Sequence, residues 1–210
     1  MNQSILFRKA MLVFAVCLVA SVAAFAQSDA PKQTMQVEPS YDVALHLLIG
    51  SNEGGARAEL PASLNNVSKQ LKANFNFTNY RLASTFLGRI SNTGNFEYKS
   101  VGDLVGKNIE GAPQTFLEWS VANFRNMPTA KGQPGFQAQA FRFGARVPVQ
   151  VGSQRGDGSS GAPVYNYEQI GLTLGKIGLA ENTPTLVGTL NLPGADGVIF
   201  LVMTVKSADM

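Results

Sequence analysis

Three residues have the side-chain types and the chain order of a hydrolytic triad, namely His46, Asp103 and Ser160. In such a site the imidazole removes the proton of the serine hydroxyl, the carboxylate orients the imidazole, and backbone amides stabilise the oxyanion. The sequence contains one histidine, so His46 is the only side chain that could act as this base. These residues define one enzymatic hypothesis, a secreted serine hydrolase.

The residues around the serine have a family resemblance. Residues 160–164 read SGAPV and resemble the segment that follows the nucleophile in chymotrypsin-like proteases. That family places an aspartate directly before the serine, whereas two residues separate Asp157 from Ser160, which displaces the amides of the oxyanion hole. His46 also falls in the middle of a predicted strand. We therefore expect no catalytic residues, and we keep the chymotrypsin-like hydrolase using His46 and Ser160 as the alternative.

The same segment contains two other short motifs. Arg155, Gly156 and Asp157 form the cell-adhesion tripeptide, and Gly156, Gly158 and Gly161 have the spacing of a dinucleotide fingerprint. The fingerprint requires a helix after its glycines, but a strand pattern follows here. Glycine and serine are also what a long connection between two strands needs. We predict an exposed loop, with Arg155, Gly156 and Asp157 as an interaction site.

Composition bears on cofactors and partners. Cys17 is the only cysteine and lies in the apolar N-terminal run, so zinc binding through thiolates and several histidines is not expected. We predict no metal and no cofactor. The chain has 17 basic and 14 acidic residues, and removal of Arg8 and Lys9 leaves 15 against 14. A net charge this small does not favour nucleic acid as a partner.

The N-terminal segment predicts export. Residues 1–26 combine Arg8 and Lys9, an apolar run and a small-x-small ending at Ala26, as in a removed signal peptide. The run is shorter than a membrane span, and no later segment is apolar enough for a transmembrane helix. We expect a periplasmic or extracellular protein, either soluble or peripheral at the outer membrane. Residues 27–39 are polar and contain prolines, and we predict a flexible leader there.

The rest of the chain predicts one α+β domain over residues 40–210. Residues 41–49 alternate apolar and polar side chains, as in a half-buried strand. Residues 60–75 carry apolar side chains at three- and four-residue steps, which predicts an amphipathic helix. Residues 80–90 and 96–101 predict a hairpin around a turn at 91–95. The predicted order is therefore a strand-helix-strand unit followed by a mostly antiparallel, β-rich region.

Six further strands are predicted after that hairpin. Trp119 and Val121 share one face of the first of them and are expected in the core. The strands cover residues 116–124, 136–143, 146–151, 164–174, 185–190 and 198–206.

Residues 141–190 resemble the core β-domain of bacterial secretins, the ring-forming outer-membrane channels of secretion and pilus systems. Residues 143–149 read FGARVPV and resemble the end of one strand of that family. Residues 167–174 read YEQIGLTL and resemble the end of the following strand. Residues 183–188 read TPTLVG and resemble a later family segment. The resemblance implies a secretin-like β region over about residues 136–206 and a role in assembly. The chain has room for one strand-helix-strand unit, whereas secretins have several, so pore formation is not implied.

These features favour an exported, non-enzymatic envelope protein that works through protein-protein contacts, as an accessory of a secretion or pilus assembly. The expected partner is an envelope protein or a second copy of the chain. Exposed strand edges or loops would supply the contact by β-augmentation.

Overall fold

The computed structural model describes residues 38–52, 60–102, 113–153, 161–191, 193 and 197–208, in which eleven strands and one short helix alternate with turns. A 3₁₀ turn, Ala62–Leu64, leads into helix α1, Asn65–Asn74. The strands are β1 Ser40–Ser51, β2 Asn79–Ser91, β3 Phe96–Gly102, β4 Thr115–Ala122, β5 Arg125–Asn126, β6 Gly135–Ala138, β7 Ala140–Ser153, β8 Pro163–Leu174, β9 Ile177–Ala180, β10 Thr185–Asn191 and β11 Gly197–Ser207.

The strands form three antiparallel sheets. Sheet A has the order β10-β11-β1-β2, sheet B the order β3-β4-β7-β8, and the small sheet C the order β5-β6-β9. Sheet C is tied to sheet A where the Asn182 amide donates to the carbonyl of Val205 at 2.8 Å. The predicted predominance of antiparallel strands is confirmed, with a single helix in the described part of the chain.

Alternation along β1 divides its side chains between two cores. Tyr41, Val43, Leu45, Leu47 and Ile49 face the inner side of sheet B and are at most 3% exposed. Together with the buried Trp119 of β4, they form the main core between sheets A and B. Leu48 points to the other side of sheet A, where it packs beneath α1.

The smaller core lies between α1 and sheet A. Leu64, Val67 and Leu71 are buried against the sheet, and Lys69 and Lys72 are exposed. The Tyr80 hydroxyl donates to the carbonyl oxygens of Leu71 at 3.0 Å and Phe75 at 3.1 Å, so it satisfies acceptors at the C-terminal end of the helix. The predicted helix is confirmed in position but is shorter than residues 60–75, because residues 62–64 adopt the tighter 3₁₀ turn.

The connection between β2 and β3 differs from the predicted hairpin. β2 pairs with β1 in sheet A, whereas β3 pairs with β4 in sheet B. Asn92 and Thr93 form the expected turn, and Thr93 has φ 61°. Its amide donates to the carbonyl of Phe124 at 2.6 Å, which ties the turn to a loop of the opposite layer. The turn therefore moves the chain from one sheet to the other.

Two other predictions of strand boundaries also differ from the structure. The break predicted between residues 143 and 146 does not occur, because Gly144 lies inside the continuous strand β7, opposite Gly171 of β8. The strand predicted over residues 136–143 is divided at Gln139, because β6 pairs in sheet C and β7 pairs in sheet B. The short strands β5 and β9 were not predicted, since two and four residues give no measurable alternation.

Candidate interaction surface

His46 lies on the central strand β1, on the same face as Asp42 and Ala44. Its register partners are Thr85 of β2 and Val202 of β11. The imidazole Nδ1 is 3.0 Å from the Thr85 hydroxyl oxygen, and burial lowers the pKa of His46 below its ordinary value of 6.5. Asp103 and Ser160 lie outside the described residues. The proposed triad therefore stays a prediction, and the hydrogen bond of His46 is made within sheet A.

The adhesion tripeptide also lies outside the described residues, which end at Ser153 and resume at Gly161. The strands on either side of it are paired antiparallel, with Ser153 opposite Pro163. Residues 154–160 therefore connect two neighbouring strands. An interaction through Arg155, Gly156 and Asp157 remains a prediction.

The hairpin formed by β7 and β8 extends past the rest of sheet B. Pairing between β4 and β7 runs from Ala140 to Arg146 of β7, and beyond Arg146 the described residues of β7 pair only with β8. We call residues 147–153 and 163–168 the hairpin arms. At about 3.3 Å per residue, the first arm extends roughly 20 Å.

Exposed apolar side chains collect at this end of sheet B. Seven large apolar residues of the described chain are exposed, and five of them belong to β3, β4, β7 or β8: Val101, Phe116, Val151, Val164 and Tyr167. Scattered exposed apolar residues are ordinary, whereas a group at one end of one sheet is typical of a contact surface.

An aromatic and guanidinium cluster links the hairpin arms to the sheet. Phe116 lies opposite Arg146, whose guanidinium carbon is 5.7 Å from the centre of the Phe116 ring. The Tyr167 ring is also 5.7 Å from Phe116, and its hydroxyl donates to the carbonyl of Gln114 at 3.2 Å. Phenylalanine, tyrosine and arginine are enriched at interface positions, so this cluster is suited to contact another molecule.

A trough crosses the outer face of sheet B beside this cluster. Gly144 of β7 and Gly171 of β8 are register partners, so neither of these two strands contributes a side chain at that point. The Glu118 side chain lies over Gly144, where a Cβ atom would be 3.1 Å from Oε1 of Glu118. Depressions of about 390 Å³ and 120 Å³ lie on this face, and both are lined by Glu118, Gly144 and Gln169. We call them together the glycine trough.

The charged groups around the trough have both signs. Lys99 Nζ is 2.8 Å from Oε1 of Glu97, and this contact lowers the pKa of Glu97 and raises that of Lys99. Arg142 and Arg146 form no ion pair with a carboxylate of the described residues. The trough therefore presents guanidinium and carboxylate groups together on one surface.

The described residues contain no group of three or more histidine, cysteine, aspartate or glutamate side chains placed to hold a metal ion. In the same part of the chain, no helix has the length and hydropathy needed to cross a membrane.

Sequence reasoning missed the cluster and the trough, because both are made by pairing across four strands. Arg142, Gly144 and Arg146 do alternate with buried residues along β7. That alternation could have placed them on one outer face. The glycine opposite Gly144 depends on the β7-β8 register, which no local pattern specifies.

Comparison with solved structures gives matches to the secretin InvG of the Salmonella SPI-1 type III secretion injectisome. The secretin domain β-barrel matches with a TM-score of 0.35 and 10% identity, over 82% of this chain and 64% of that chain. InvG residues 176 to the end, in the open gate state, match with a TM-score of 0.30 and 9% identity, over 93% and 66%. This chain thus spans slightly less than two thirds of each of these InvG chains. No protein-family model and no curated protein matches the sequence. These weak structural matches cover most of the chain, and the sequence resemblance to secretins covers residues 141–190.

Proposed function

We propose that the protein is an exported, non-enzymatic envelope protein that binds a protein partner by adding a strand to β8. The observation that carries this proposal is the free edge of β8, residues 163–170, which we call the β8 edge. Among the residues that the structure describes, β8 is the last strand of sheet B, and Leu172 near its C-terminal end packs over Gly188 of β10. The edge leaves backbone donors and acceptors available for pairing.

The composition of β8 is unusual for an edge strand. Long edge strands commonly carry lysine, arginine, proline or a bulge, which prevents unwanted pairing. The edge strand β2 has Arg81, Arg89 and a bulge, and β3 has Lys99. β10 is seven residues long and has a bulge. The 12 residues of β8 contain one charged side chain, Glu168, and no proline after the first residue. This contrast favours β8 as an edge that binds another strand.

Apolar side chains beside the β8 edge would add to such binding. Val151 is 63% exposed, and Val164 and Tyr167 are 39% and 42% exposed, all in the hairpin arms. In β-augmentation the backbone hydrogen bonds supply affinity and the adjacent side chains supply specificity. Burial of Val164 and Tyr167, which belong to β8 itself, would therefore favour a partner with an apolar extended segment.

The sequence resemblance of residues 141–190 to secretins is our reason for placing the partner in a secretion or pilus assembly. The partner is an envelope protein or a second copy of the chain. Export depends on the predicted signal at residues 1–26, which lie outside the described residues.

Site-directed photo-crosslinking in intact cells tests the proposal. A photo-reactive residue at Asn166, which is exposed on β8, should crosslink to one protein or to a second copy. The same residue at Leu87, which is 72% exposed on β2, is the matched control and should not. Val164→Lys should abolish the Asn166 crosslink, whereas Leu87→Lys should leave it unchanged. A monomeric protein with no crosslink from Asn166 above the Leu87 background would refute the proposal.

The serine hydrolase alternative has a separate test. A fluorophosphonate probe should label the protein if Ser160 is nucleophilic, and Ser160→Ala should remove the label. Absence of labelling would end this alternative without affecting the β8 proposal.

A further inference from the structure

The glycine trough has the size and the open shape of a binding site for a linear molecule. Its floor is the Glu118 side chain, which covers Gly144, and the backbone at Gly171, where a Cβ atom would lie 3.0 Å from the carbonyl oxygen of Phe143. Its larger depression, about 390 Å³, falls within the range of ligand sites in proteins. Because it crosses the outer face of a sheet, neither end is closed by another element of the described chain.

The polar groups of the trough favour a ligand with many hydroxyl groups. They include the carboxylates of Glu97 and Glu118, the guanidinium of Arg142 and the amide of Gln169. Ser120 and Thr173 add hydroxyl groups. Carboxylates only accept hydrogen bonds and guanidinium groups only donate them, so a ligand here must both donate and accept along its length. Sugar hydroxyls do both. Two carboxylates, Glu97 and Glu118, are offset by the cationic side chains of Lys99, Arg142 and Arg146, so the trough has little net charge to select a charged polymer.

The apolar end of the trough supplies the second element of sugar recognition. Phe116 is 45% exposed and lines the smaller depression, with the Tyr167 ring beside it. A sugar ring presents a face of C–H groups that packs on an aromatic ring, while its hydroxyls point outward to polar groups. An exposed aromatic ring next to carboxylate, guanidinium and amide side chains meets both requirements.

From this arrangement we propose that the glycine trough binds a linear, uncharged oligosaccharide. One sugar unit packs on the exposed part of the Phe116 ring, beside the Arg146 guanidinium, and the following units lie over Glu118 and Gly171. Glu118, Arg142 and Gln169 hydrogen-bond to the hydroxyls. This proposal does not depend on strand addition at β8, because it uses side chains on the sheet face and not the backbone of the edge.

Titration of the purified protein with defined sugars, followed by NMR of the backbone amides, tests the proposal. The probes are four tetrasaccharides: β-1,4-linked N-acetylglucosamine, β-1,4-linked glucose, α-1,4-linked glucose and β-1,4-linked xylose. At least one should shift the amide signals of Gly144 and Gly171 in a saturable manner. No saturable shift with any of the four would overturn the proposal, and so would equal shifts with inorganic phosphate, which would indicate an anion site.

Variants distinguish the trough from the rest of the surface. Phe116→Ala should weaken binding by about tenfold, corresponding to the loss of roughly 1.4 kcal/mol of stacking. Gly144→Val should abolish binding by displacing the Glu118 side chain that lies over residue 144, and Arg142→Ala should weaken binding without moving Glu118. Leu87→Ala, on the other sheet, is the control and should bind as the parent does. Val164→Lys should also bind normally, which separates this site from the β8 edge. Unchanged binding in both Gly144→Val and Arg142→Ala would contradict the assigned site.

Discussion

His46 is the one histidine of the chain, and its surroundings oppose its charged form. It is partly buried on the central strand β1, and burial lowers its pKa below 6.5. Above that pH the imidazole is neutral in both the folded and the unfolded chain, so it contributes no pH dependence. As the pH falls through 6.5, the unfolded chain gains a proton that the folded protein resists. The free energy of unfolding should therefore decrease below this pH until the folded protein also becomes protonated.

We predict that His46→Gln reduces this pH dependence. Glutamine keeps a group that can hydrogen-bond to Thr85 and has no charge change in this range. Urea unfolding of both proteins between about pH 5 and pH 7.5 would measure the free energy of unfolding. A smaller slope in His46→Gln below pH 6.5 is expected. Equal slopes in the two proteins would show that His46 is not the source of this pH dependence.

At the scale of elements, β2 and β3 must approach each other closely without sharing a sheet. The Phe96 ring of β3 packs directly over Gly88 of β2, in the space where a side chain at residue 88 would lie. Phe96 also contacts Trp119, with ring centres 4.8 Å apart, so it cannot move freely. Gly88 is thus required for the two layers to meet at this corner.

Gly88→Ala should therefore destabilise the protein, by about 1 to 3 kcal/mol, the usual cost of an overpacked core. Gly178→Ala is the matched control, because a Cβ atom at Gly178 of β9 would meet no other atom within 4 Å. Denaturant unfolding of both variants gives the comparison. If Gly88→Ala were as stable as Gly178→Ala, Phe96 would not be fixed in the position seen here.

Sequence patterns predict single elements well when one face of each is buried. The alternation in β1 and the apolar spacing around α1 both agree with the observed burial. The sequence does not reveal which strands pair. Ser91 to Asn95 looks like a hairpin turn, but hydrogen bonds to the loop around Phe124, such as the one from the Thr93 amide, accompany a crossing between layers. The glycine trough also depends on strand pairing, since Gly144 and Gly171 belong to different strands. Pairing depends on contacts between distant residues, and periodicity carries no information about them.

At the scale of the whole molecule, the last strand completes both cores. Ile199, Leu201, Met203 and Val205 of β11 enter the main core, and Phe200 and Val202 pack beneath α1. Burial of each such side chain contributes about 1.5 to 3 kcal/mol, and the sum is comparable to the whole stability of a typical domain. The fold therefore requires β11.

A chain that ends at Asn191 should not fold cooperatively. We expect the fluorescence of Trp119, the only tryptophan and a buried one, to change gradually with urea instead of in one transition. The control is a chain that ends at Ala208, which keeps β11 and should retain a sharp transition. A cooperative transition in the shorter chain would show that β1 and β2 find a different partner.

The antiparallel pairing of β1 with β11 also determines how the fold responds to force. Tyr41 lies opposite Ser207, and the Ala208 amide donates to the carbonyl of Ser40 at 3.0 Å, so the start of β1 and the end of β11 lie side by side at one end of sheet A. Tension applied through these two ends would load their hydrogen bonds one pair after another, as in opening a zip, and not all together in shear. The sandwich would then yield at low force even though its cores resist denaturant.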